Sequence, residues 1–486
     1  MSKKKNIIQK ITQWKVILGI QLLVSLVLIG FILKLGVLPM LYMIILIVLL
    51  LLVCLGTFLL MRPSKVKEQA KIRVIIGKVI SLLVSLFLLI ASLYIAKGDS
   101  TLGTITGANE QTTRISVITL KDSNYKKLSD LKDKTVEVNM TGEADKMKEA
   151  VTALQKEESS IKTKEVNEYE TMATDLYSKK TSAIYVNEAY FAVLEANHEN
   201  FENDIDIIWT YEIIEKTQDI SKEVSVTKDP FIVYISGIDT YGKVSTVSRT
   251  DVNMLVTVNP TTKQILMTSI PRDYYVTLAN KGKKDKLTHS GLGGIENTVK
   301  TVENFMNVEI NYYARVNFTS LIKMVDALGG IDVESDRAFT AFDGSTFKKG
   351  INHLNGDKAL VFSRERHAFA DGDNERVFHQ QLVLTAMIKK MMSPTIITNY
   401  SSILNSINGS FETNMKSSDI TSLLQMQISD MASWEIAQKQ LSGSGKVMTG
   451  GAYMPNNNLY YMIPNDSSVV ENKAAIQSIL KGQPIE

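Results

Sequence analysis

The sequence predicts a membrane-anchored protein with three N-terminal transmembrane helices and two α/β domains after them. The second of these domains is expected to be a mixed, largely antiparallel sheet flanked by helices. Three observations predict this fold class: long uncharged apolar runs in the first hundred residues, basic clusters beside them, and then a regular alternation of strand-like and helix-like patterns. A chain of 486 residues is long enough for an anchor and two domains.

The apolar runs predict membrane spans at about residues 16–33, 36–61 and 76–96. Each run reaches the roughly 18 residues that a membrane-spanning helix requires. A buried core helix is the alternative for any single run. Three such runs so close together favour a membrane anchor over residues 1–97.

The charged residues predict the orientation of this anchor. Residues 1–98 carry thirteen Lys and Arg and a single acid, Glu68, whereas residues 99–486 have a net charge of −9. The basic residues precede the first run and separate the second from the third, and short cytoplasmic loops retain such residues. We therefore expect a multi-pass protein of the cell membrane with a cytoplasmic N-terminus and a large extracellular C-terminal part.

Composition also limits the partners. The net-acidic exterior part disfavours nucleic acid, because nucleic-acid binding depends on neutralising phosphates. The basic inner segments suit anionic membrane lipids. The only cysteine, Cys54, lies in the second apolar run, so the exterior part has no disulfide.

A linker rich in Gly, Thr and Ser is predicted at residues 98–113, followed by a small accessory α/β domain at 114–225. The pattern predicts strands at 115–120, 135–139, 182–187 and 205–211, and helices at 143–155 and 169–178. This segment contains no nucleophile arrangement, ligand cluster or glycine-rich phosphate loop. A spacer or a partner-docking module is the interpretation that follows.

Residues 226–486 are predicted to form the second domain. A buried strand stops at Gly237-Ile-Asp239, and strands at 252–258 and 264–270 are predicted to pair as a hairpin. Helices are expected at 294–306, 319–328 and 374–392. The apolar stretch 459–463 is expected to complete the same sheet.

Arginine is concentrated in this domain. Seven of the ten arginines fall between Arg249 and Arg376, and five of the seven lie close to acids: Arg249, Arg272, Arg364, Arg366 and Arg376. The planar guanidinium can bind phosphate or carboxylate through two parallel hydrogen bonds. A few structural ion pairs are the alternative. The two ends of an antiparallel hairpin are neighbours, so Arg249 and Asp251 should meet Arg272 and Asp273 in space.

Two carboxylates are expected beside these arginines. Asp239 and Asp251 would repel each other alone, but together they suit a hard divalent cation, most simply Mg²⁺. Arginines around such an ion would neutralise the charge that spreads over phosphate oxygens during phosphoryl transfer. The composition thus suggests a pyrophosphate site and leaves the substrate unidentified.

Eight motifs stand in order along this domain: Gly237-Ile-Asp239, Arg249-Thr-Asp251, Ser269-Ile-Pro-Arg-Asp273, Lys286-Leu-Thr-His289, Val325-Asp-Ala-Leu-Gly-Gly-Ile-Asp-Val333, Leu354-Asn-Gly-Asp-Lys-Ala-Leu360, Arg364-Glu-Arg366, and residues 373–381. This set resembles the LytR-CpsA-Psr family. The three-span anchor and the small α/β module are similar to the streptococcal capsule-associated branch of that family.

The resemblance implies a phosphotransferase that attaches a capsular or other anionic glycopolymer to peptidoglycan, taking it from a polyprenyl-pyrophosphate carrier. It implies that Asp239 and Asp251 hold Mg²⁺ and that Asp373 orients or deprotonates the acceptor. The residues that it assigns to the pyrophosphate are Arg249, Arg272, Arg364, Arg366, Arg376 and Gln380, with Arg249, Arg272 and Asp373 as the catalytic group. Membrane lipids and other capsule assembly proteins are the further expected partners.

One position departs from the family pattern. Many members have Arg before the Gln380-Gln381 pair, whereas this chain has His379. The site is then less cationic or has a proton-sensitive contact. Which of the two glutamines faces the ligand is left open.

Two other functions fit the sequence. One is a membrane-bound, non-enzymatic regulator or sensor of capsule synthesis. The other is a lipid pyrophosphatase, which would use the same residues without an acceptor. For the transferase, Arg272→Ala or Asp251→Ala is expected to abolish transfer and leave the fold intact, because both positions are at strand ends.

Overall fold

The structure is a computed structural model. It describes residues 12–62, 69–106, 110–141, 143–195, 198, 200–238, 243–369, 372–393, 403, 406 and 411–484. Within these residues the chain forms an N-terminal helical anchor, an accessory domain whose first strand begins at Glu110, and a C-terminal domain whose first strand begins at Phe231.

The anchor has three helices, α1 (Trp14–Leu35), α2 (Met40–Met61) and α3 (Gln69–Ile105). All three contain segments long and apolar enough to cross a membrane. A polar contact joins all three, because Thr57 of α2 and Ser81 of α3 both donate to Oε1 of Gln21 in α1, at 3.0 and 2.5 Å. A buried amide oxygen that accepts from hydroxyls of neighbouring helices is a common way to hold apolar helices together.

The predicted linker is partly wrong. Helix α3 continues to Ile105 and the first strand begins at Glu110, so residues 98–105 are helical and 110–113 belong to a strand. An isolated glycine costs a helix only about 1 kcal/mol. A long preceding helix already supplies the nucleus, so Gly98 and Gly103 do not end it.

The accessory domain is a five-stranded sheet in the order β3-β2-β4-β1-β5. Its elements are β1 (Glu110–Leu120), β2 (Thr135–Val138), α4 (Ala144–Glu157), β3 (Lys162–Glu165), α5 (Tyr169–Tyr177), β4 (Ala183–Asn187), α6 (Phe191–Leu194), α7 (Phe201–Asp204) and β5 (Ile205–Lys216). The four predicted strands and two predicted helices are confirmed. Strand β3 escaped prediction because Lys-Thr-Lys-Glu has no apolar residue to alternate.

The C-terminal domain is built on a six-stranded sheet in the order β16-β11-β6-β7-β8-β17. Its strands are β6 (Phe231–Gly237), β7 (Val252–Asn259), β8 (Gln264–Ser269), β9 (Tyr275–Thr277), β10 (Lys284–Lys286), β11 (Tyr312–Val316), β12 (Ile331–Ser335), β13 (Phe339–Thr340), β14 (Thr346–Phe347), β15 (Gly350–Leu354), β16 (Phe411–Thr413), β17 (Glu435–Gln440), β18 (Gly443–Met448) and β19 (Leu459–Pro464). Its helices are α8 (Gly294–Met306), α9 (Phe318–Ala327), α10 (Gly356–Arg364), α11 (Gly372–Met391), α12 (Ser417–Asp430) and α13 (Asp466–Leu480), and a 3₁₀ helix covers Leu287–Gly293.

The sheet is mixed, as predicted. Strand β6 pairs antiparallel with β7 and parallel with β11, and β8 pairs antiparallel with β7 and parallel with β17. Helices cover both faces. Leu255 and Leu266 pack on one side with residues of α8 and α13, while Met254 and Met267 pack on the other with α11 and α12.

The tail completes this sheet differently from the prediction. Strand β17 adds to β8 at the edge, whereas β19 pairs with β18 in a separate two-stranded sheet. An edge strand is held by backbone hydrogen bonds along one side and needs few apolar residues. The polar β17 therefore gave no signal. Strand β19 lies instead beside the loop after β8, where Met462 N donates to Asp273 O at 2.8 Å.

Both other parts of the chain contact the C-terminal domain. Gln425 of α12 donates to the carbonyl of Gly36 in the α1–α2 turn, and Thr106 after α3 is hydrogen-bonded to Ser417 at 2.6 Å. Both contacts lie on the same side of the anchor, because the Gly36 turn follows one apolar helix and Thr106 follows three. On the accessory side, Thr112 exchanges backbone hydrogen bonds of 2.8 Å with Ser245 and Val247.

Candidate anion-binding site

The ends of β6, β7 and β8 bring the predicted Arg-Asp pairs together. Asp251 N donates to Gly237 O at 2.8 Å, which extends the β6–β7 pairing by one residue. Across the hairpin, Nη1 of Arg272 lies 2.9 Å from Oδ1 of Asp251. The predicted convergence is confirmed, because the open end of an antiparallel hairpin places its first and last residues side by side.

Asp251 is surrounded by positive charge. Its side chain is 10% exposed, and burial by itself would raise the pKa of the carboxyl. The guanidinium groups of Arg249, Arg272 and Arg376 more than offset that effect and hold the pKa below its ordinary value. Asp251 is therefore ionised at neutral pH, and α11 contributes Arg376 to the same electrostatic centre.

A buried polar network fixes the segment that carries Arg249. Thr250 is buried, and its hydroxyl is hydrogen-bonded to Ser236 at 2.9 Å. Asn253 donates to the carbonyl of Thr250 at 3.0 Å and accepts from the Tyr234 hydroxyl at 2.5 Å. Since the side-chain partners in this network lie in β6 and β7, the sheet fixes the position of the backbone next to Arg249.

The 3₁₀ helix supplies the opposite wall. Thr250 N donates to Thr288 O at 3.1 Å, and the Thr288 hydroxyl donates to Oδ1 of Asp251 at 3.2 Å. Lys286 Nζ lies 2.9 Å from Oδ1 of Asp273, and Nε of Arg272 lies 3.6 Å from Oδ2 of the same carboxylate. These contacts alternate cations and carboxylates around one small space.

That space is a cavity of about 180 Å³ that opens to solvent. Its charged lining consists of Arg249, Arg272, Lys286, Asp273 and Glu195. Arg272 and Lys286 each contact Asp273, whereas the described residues place no hydrogen-bond or ion-pair partner within 4.0 Å of Arg249. A phosphate that enters would find the guanidinium of Arg249 available for a bidentate contact.

The other predicted arginines lie around this centre at different distances. The guanidinium of Arg364 is 4.3 Å from the ring centroid of Phe318, a cation–π contact. Arg366 is exposed and its Nε is 3.4 Å from Nε2 of His367. Neither lines the cavity that the described residues form. Their role at the pyrophosphate stays a prediction.

Two predicted site residues cannot be placed fully. Asp239 lies outside the described residues. Asp373 belongs to the first turn of α11, and only its backbone is described. The proposed roles of both in metal binding and acceptor activation remain predictions.

Sequence reasoning missed several residues that shape the site. Arg315 is buried, pairs with Glu412 at 2.9 Å and donates to Thr246 O at 2.7 Å, so it holds the segment before Arg249. Its membership of the arginine-rich segment was the available signal. Glu195 reaches the cavity from the accessory domain, and no local pattern marked it.

Glu365 has a positioning role between Arg364 and Arg366. It is fully buried and accepts from the backbone N–H groups of Phe342 and Ala368 at 2.7 and 2.9 Å. Burial would raise the pKa of this carboxyl, but the backbone donors hold it below its ordinary value. The acid in the Arg364-Glu-Arg366 motif therefore fixes the turn that carries both arginines.

The structure assigns different directions to three adjacent residues of α11. His379 is fully buried, with its ring stacked on Phe339 at 5.0 Å and 4.4 Å from the ring of Phe362. Gln381 is also buried and donates to Ser269 Oγ and Lys439 O at 2.9 and 2.8 Å. Gln380 is half-buried. Of the two glutamines, Gln380 is thus the one whose side chain is accessible to a ligand, whereas His379 contacts aromatic rings.

The carboxylate of Asp251 fits a role in Mg²⁺ binding. Oδ1 accepts from Arg272 and Thr288, and the described residues donate no hydrogen bond to Oδ2. Mg²⁺ is usually held by one or two carboxylates, with phosphate oxygens and water completing the coordination. The described residues form no cluster of three acidic, His or Cys side chains that would hold a metal alone. An ion here would therefore need phosphate oxygens as well.

Gly291 is expected to be essential for the geometry of this site. A Cβ at this position would lie 2.3 Å from Ser248 O and 2.8 Å from Thr250 N, both backbone atoms. We expect Gly291→Ala to displace the Arg249 segment and to weaken binding of a lipid pyrophosphate about tenfold or more, measured by equilibrium titration. Gly293→Ala is the control, because its Cβ would meet only the side chains of Asn280 and Asn297. Equal binding by both variants would contradict the prediction.

Comparisons with known proteins assign the C-terminal part of the chain to one family. The model of the LytR_cpsA_psr family matches residues 209–477. The polyisoprenyl-teichoic acid–peptidoglycan teichoic acid transferase TagU of Enterococcus faecalis is 34% identical over 247 residues, 50% of this chain and 80% of that protein. TagU of Bacillus anthracis is 39% identical over 202 residues, 41% of this chain and 65% of that protein.

Among solved structures, Bacillus subtilis TagV is similar at 31% identity, with 53% of this chain and 99% of that chain covered and a TM-score of 0.45. The family match begins at residue 209, inside β5. Most of the accessory domain therefore lies before the region that the family model covers.

Proposed function

The chain belongs to the LytR-CpsA-Psr family and is a glycopolymer transferase, and on that premise we propose that it joins a capsular or other anionic glycopolymer to peptidoglycan. The donor is the polymer on a polyprenyl-pyrophosphate carrier, and the product is a phosphodiester to a sugar hydroxyl. The relatives named above support the coarser part of this proposal, since their names describe transfer of a polyisoprenyl-linked polymer to peptidoglycan.

The observation that carries the proposal is the cationic cavity at the ends of β7 and β8. Arg249, Arg272 and Lys286 line it, and Arg272 is paired with Asp251 at 2.9 Å. In the reaction an acceptor hydroxyl oxygen forms a bond to the phosphorus that carries the polymer. The bond from that phosphorus to the bridging oxygen breaks, and the lipid monophosphate leaves. Fixed guanidinium groups stabilise the charge that accumulates on these oxygens.

The remaining residues have distinct proposed roles. Arg364, Arg366, Arg376 and Gln380 bind the rest of the pyrophosphate, and Asp373 orients the acceptor hydroxyl and accepts its proton. The Arg376 guanidinium already acts electrostatically on Asp251, which supports its place in this group. Asp239 and Asp251 would hold Mg²⁺, which supplies further charge neutralisation at the phosphates when bound.

The proposed location is the outer face of the cell membrane. The three apolar helices support a membrane anchor, and the distribution of basic residues supports a cytoplasmic N-terminus. A donor on a polyprenyl carrier and an acceptor in the wall are both reached from this side.

The direct test is reconstitution of transfer. The full-length protein in lipid nanodiscs is incubated with a polyprenyl-pyrophosphate oligosaccharide, peptidoglycan fragments and Mg²⁺, and the products are identified by mass spectrometry. We expect a phosphodiester-linked conjugate. Free phosphorylated oligosaccharide as the only product would instead establish a pyrophosphatase, and tight lipid binding without any reaction would favour a sensor.

Asp251→Asn is expected to change the metal dependence. The amide keeps the shape of the side chain but removes the negative charge that attracts Mg²⁺. We expect transfer to fall about a hundredfold at 1 mM Mg²⁺ and to recover partly at concentrations about tenfold higher. The measurement is a Mg²⁺ titration of the transfer rate, with Asp332→Asn, an exposed acid on β12, as the control. An unchanged Mg²⁺ response would remove Asp251 from the metal site.

A further inference from the structure

The accessory and C-terminal domains enclose a second cavity between them. Its volume is about 370 Å³, twice that of the arginine cavity, and it is open to solvent. The accessory wall includes Glu143, Lys146 and Glu215, and the opposite wall includes Lys281 and Tyr453. We call this space the interdomain cleft. Its size is within the range of pockets that bind small organic ligands.

The walls of the interdomain cleft are held firmly. The two domains share an apolar cluster whose members include Phe191 of α6 and Leu292 of the 3₁₀ helix. The rings of Tyr190 and Tyr453 meet edge to face at 5.8 Å across the interface. Together with the backbone hydrogen bonds at Thr112, these contacts make the cleft a fixed feature of the fold.

The interdomain cleft adjoins the arginine cavity. The ring of His289, which lines the arginine cavity, contacts the ring of Tyr453, which lines the cleft, at 5.9 Å. Nδ1 of His289 is 2.9 Å from Asp285, whose other oxygen accepts from Tyr453 N at 2.8 Å. The same 3₁₀ helix borders both spaces. A molecule in the cleft would therefore lie next to the phosphate-binding residues.

The two spaces differ in chemistry. Three cations and two acids line the arginine cavity, whereas the lining of the cleft has two lysines, three acids, amides and tyrosines. Several of these groups are already oriented: Lys146 pairs with Glu215 at 2.7 Å, and Lys281 lies 4.9 Å above the ring of Tyr453. A nearly neutral lining that is rich in both donors and acceptors suits the hydroxyl and acetamido groups of a sugar. With three acids against two lysines, the lining has no net positive charge to attract a polyanion.

We propose that the interdomain cleft binds the acceptor, a neutral stretch of peptidoglycan glycan, and that the accessory domain forms half of this acceptor site. The inference rests on the proposed function, which requires a sugar hydroxyl beside the donor phosphate. The arginine cavity is too small and too cationic to hold both substrates. The accessory domain also reaches that cavity through Glu195, so it borders the path between the two spaces.

The test compares paired substitutions that remove the same charge inside and outside the cleft. Lys281→Met is matched by Lys283→Met, an exposed lysine two residues away, and Glu143→Gln is matched by Glu157→Gln at the exposed end of α4. Each full-length variant is placed in nanodiscs. Binding of a soluble peptidoglycan tetrasaccharide is measured by calorimetry, and KM is measured for the lipid-linked donor. Melting temperatures verify folding.

We expect the dissociation constant of the tetrasaccharide to rise about tenfold in each cleft variant and to stay within twofold in the controls. The KM for the donor should be unchanged in all four. A rise in the donor KM alone would assign the cleft to the polymer, and no change in either quantity would make it a structural interface; both overturn the inference. A protein without transfer activity would contradict the proposed function but not this site. The site would still be supported if the cleft variants lost tetrasaccharide binding.

Discussion

Arg272→Ala should reduce glycopolymer transfer about a thousandfold or more, the largest effect expected of any single substitution here. Arg272 lines the cationic cavity, and its guanidinium links Asp251 at 2.9 Å to Asp273 at 3.6 Å. Its removal deletes a charge at the proposed phosphate site and also releases the two carboxylates that it contacts. The transfer assay described above measures the loss.

Arg272→Lys and Arg337→Ala make this prediction specific. Lysine keeps the charge but lacks the planar fork, so we expect most of the activity to be lost, about a hundredfold. Arg337 belongs to the same arginine-rich segment, but it is exposed and pairs with Asp336 and Glu375 away from the cavity. Arg337→Ala should keep transfer within about threefold of wild type. Normal transfer by Arg272→Ala, with an unchanged melting temperature, would rule out the proposed site.

Acid should destabilise the protein through His379. Burial among aromatic rings lowers the pKa of this imidazole to about 4, whereas an exposed histidine has a value near 6.5. Between these values the unfolded chain binds a proton that the folded protein excludes. The free energy of unfolding therefore falls as the pH drops from 6.5 to 4, by about 3 kcal/mol for this residue.

His379→Phe removes the titrating group and keeps an aromatic ring in the cage that Phe339, Phe362 and Phe369 form around position 379. We expect the melting temperature of wild type to fall by several degrees more than that of His379→Phe when the pH is lowered from 7 to 4.5. His353→Gln is the control, because His353 is exposed and pairs with Asp332. Scanning fluorimetry at a series of pH values gives the comparison. Parallel pH profiles for wild type and His379→Phe would show that the cage does not hold His379 neutral.

The structure also explains why His379 is compatible with the site. In α11, successive residues point about 100° apart around the axis. Gln381 faces the sheet, His379 faces Phe339 and Phe362, and Gln380 lies between them at the surface. The residue type at position 379 therefore changes the stability of the cage more than the charge of the cavity. The sequence suggested that His379 makes a proton-sensitive contact with the ligand. In the structure it is instead a proton-sensitive residue of the core.

Local sequence patterns predicted a large part of the secondary structure of this protein. The three apolar runs, the β7–β8 hairpin and the helices α8, α9 and α11 could be placed from the sequence, because periodicity and chain punctuation act over a few residues. The meeting of Arg272 with Asp251 also followed from the sequence, since the geometry of a hairpin fixes which ends are neighbours. The edge strand β17 did not follow, because its backbone pairing requires no apolar pattern.

Tertiary structure alone decided what surrounds that pair. Glu195 lies in the accessory domain and Lys286 beyond the hairpin, yet both line the arginine cavity, and Lys146 and Lys281 line the interdomain cleft from different domains. Such contacts depend on how the helices and strands pack against one another. The free energy of that packing is distributed over many apolar residues that are distant in sequence. The sequence by itself determined the charged residues that we assign to the phosphate; the packing of two domains decided which other groups lie beside them.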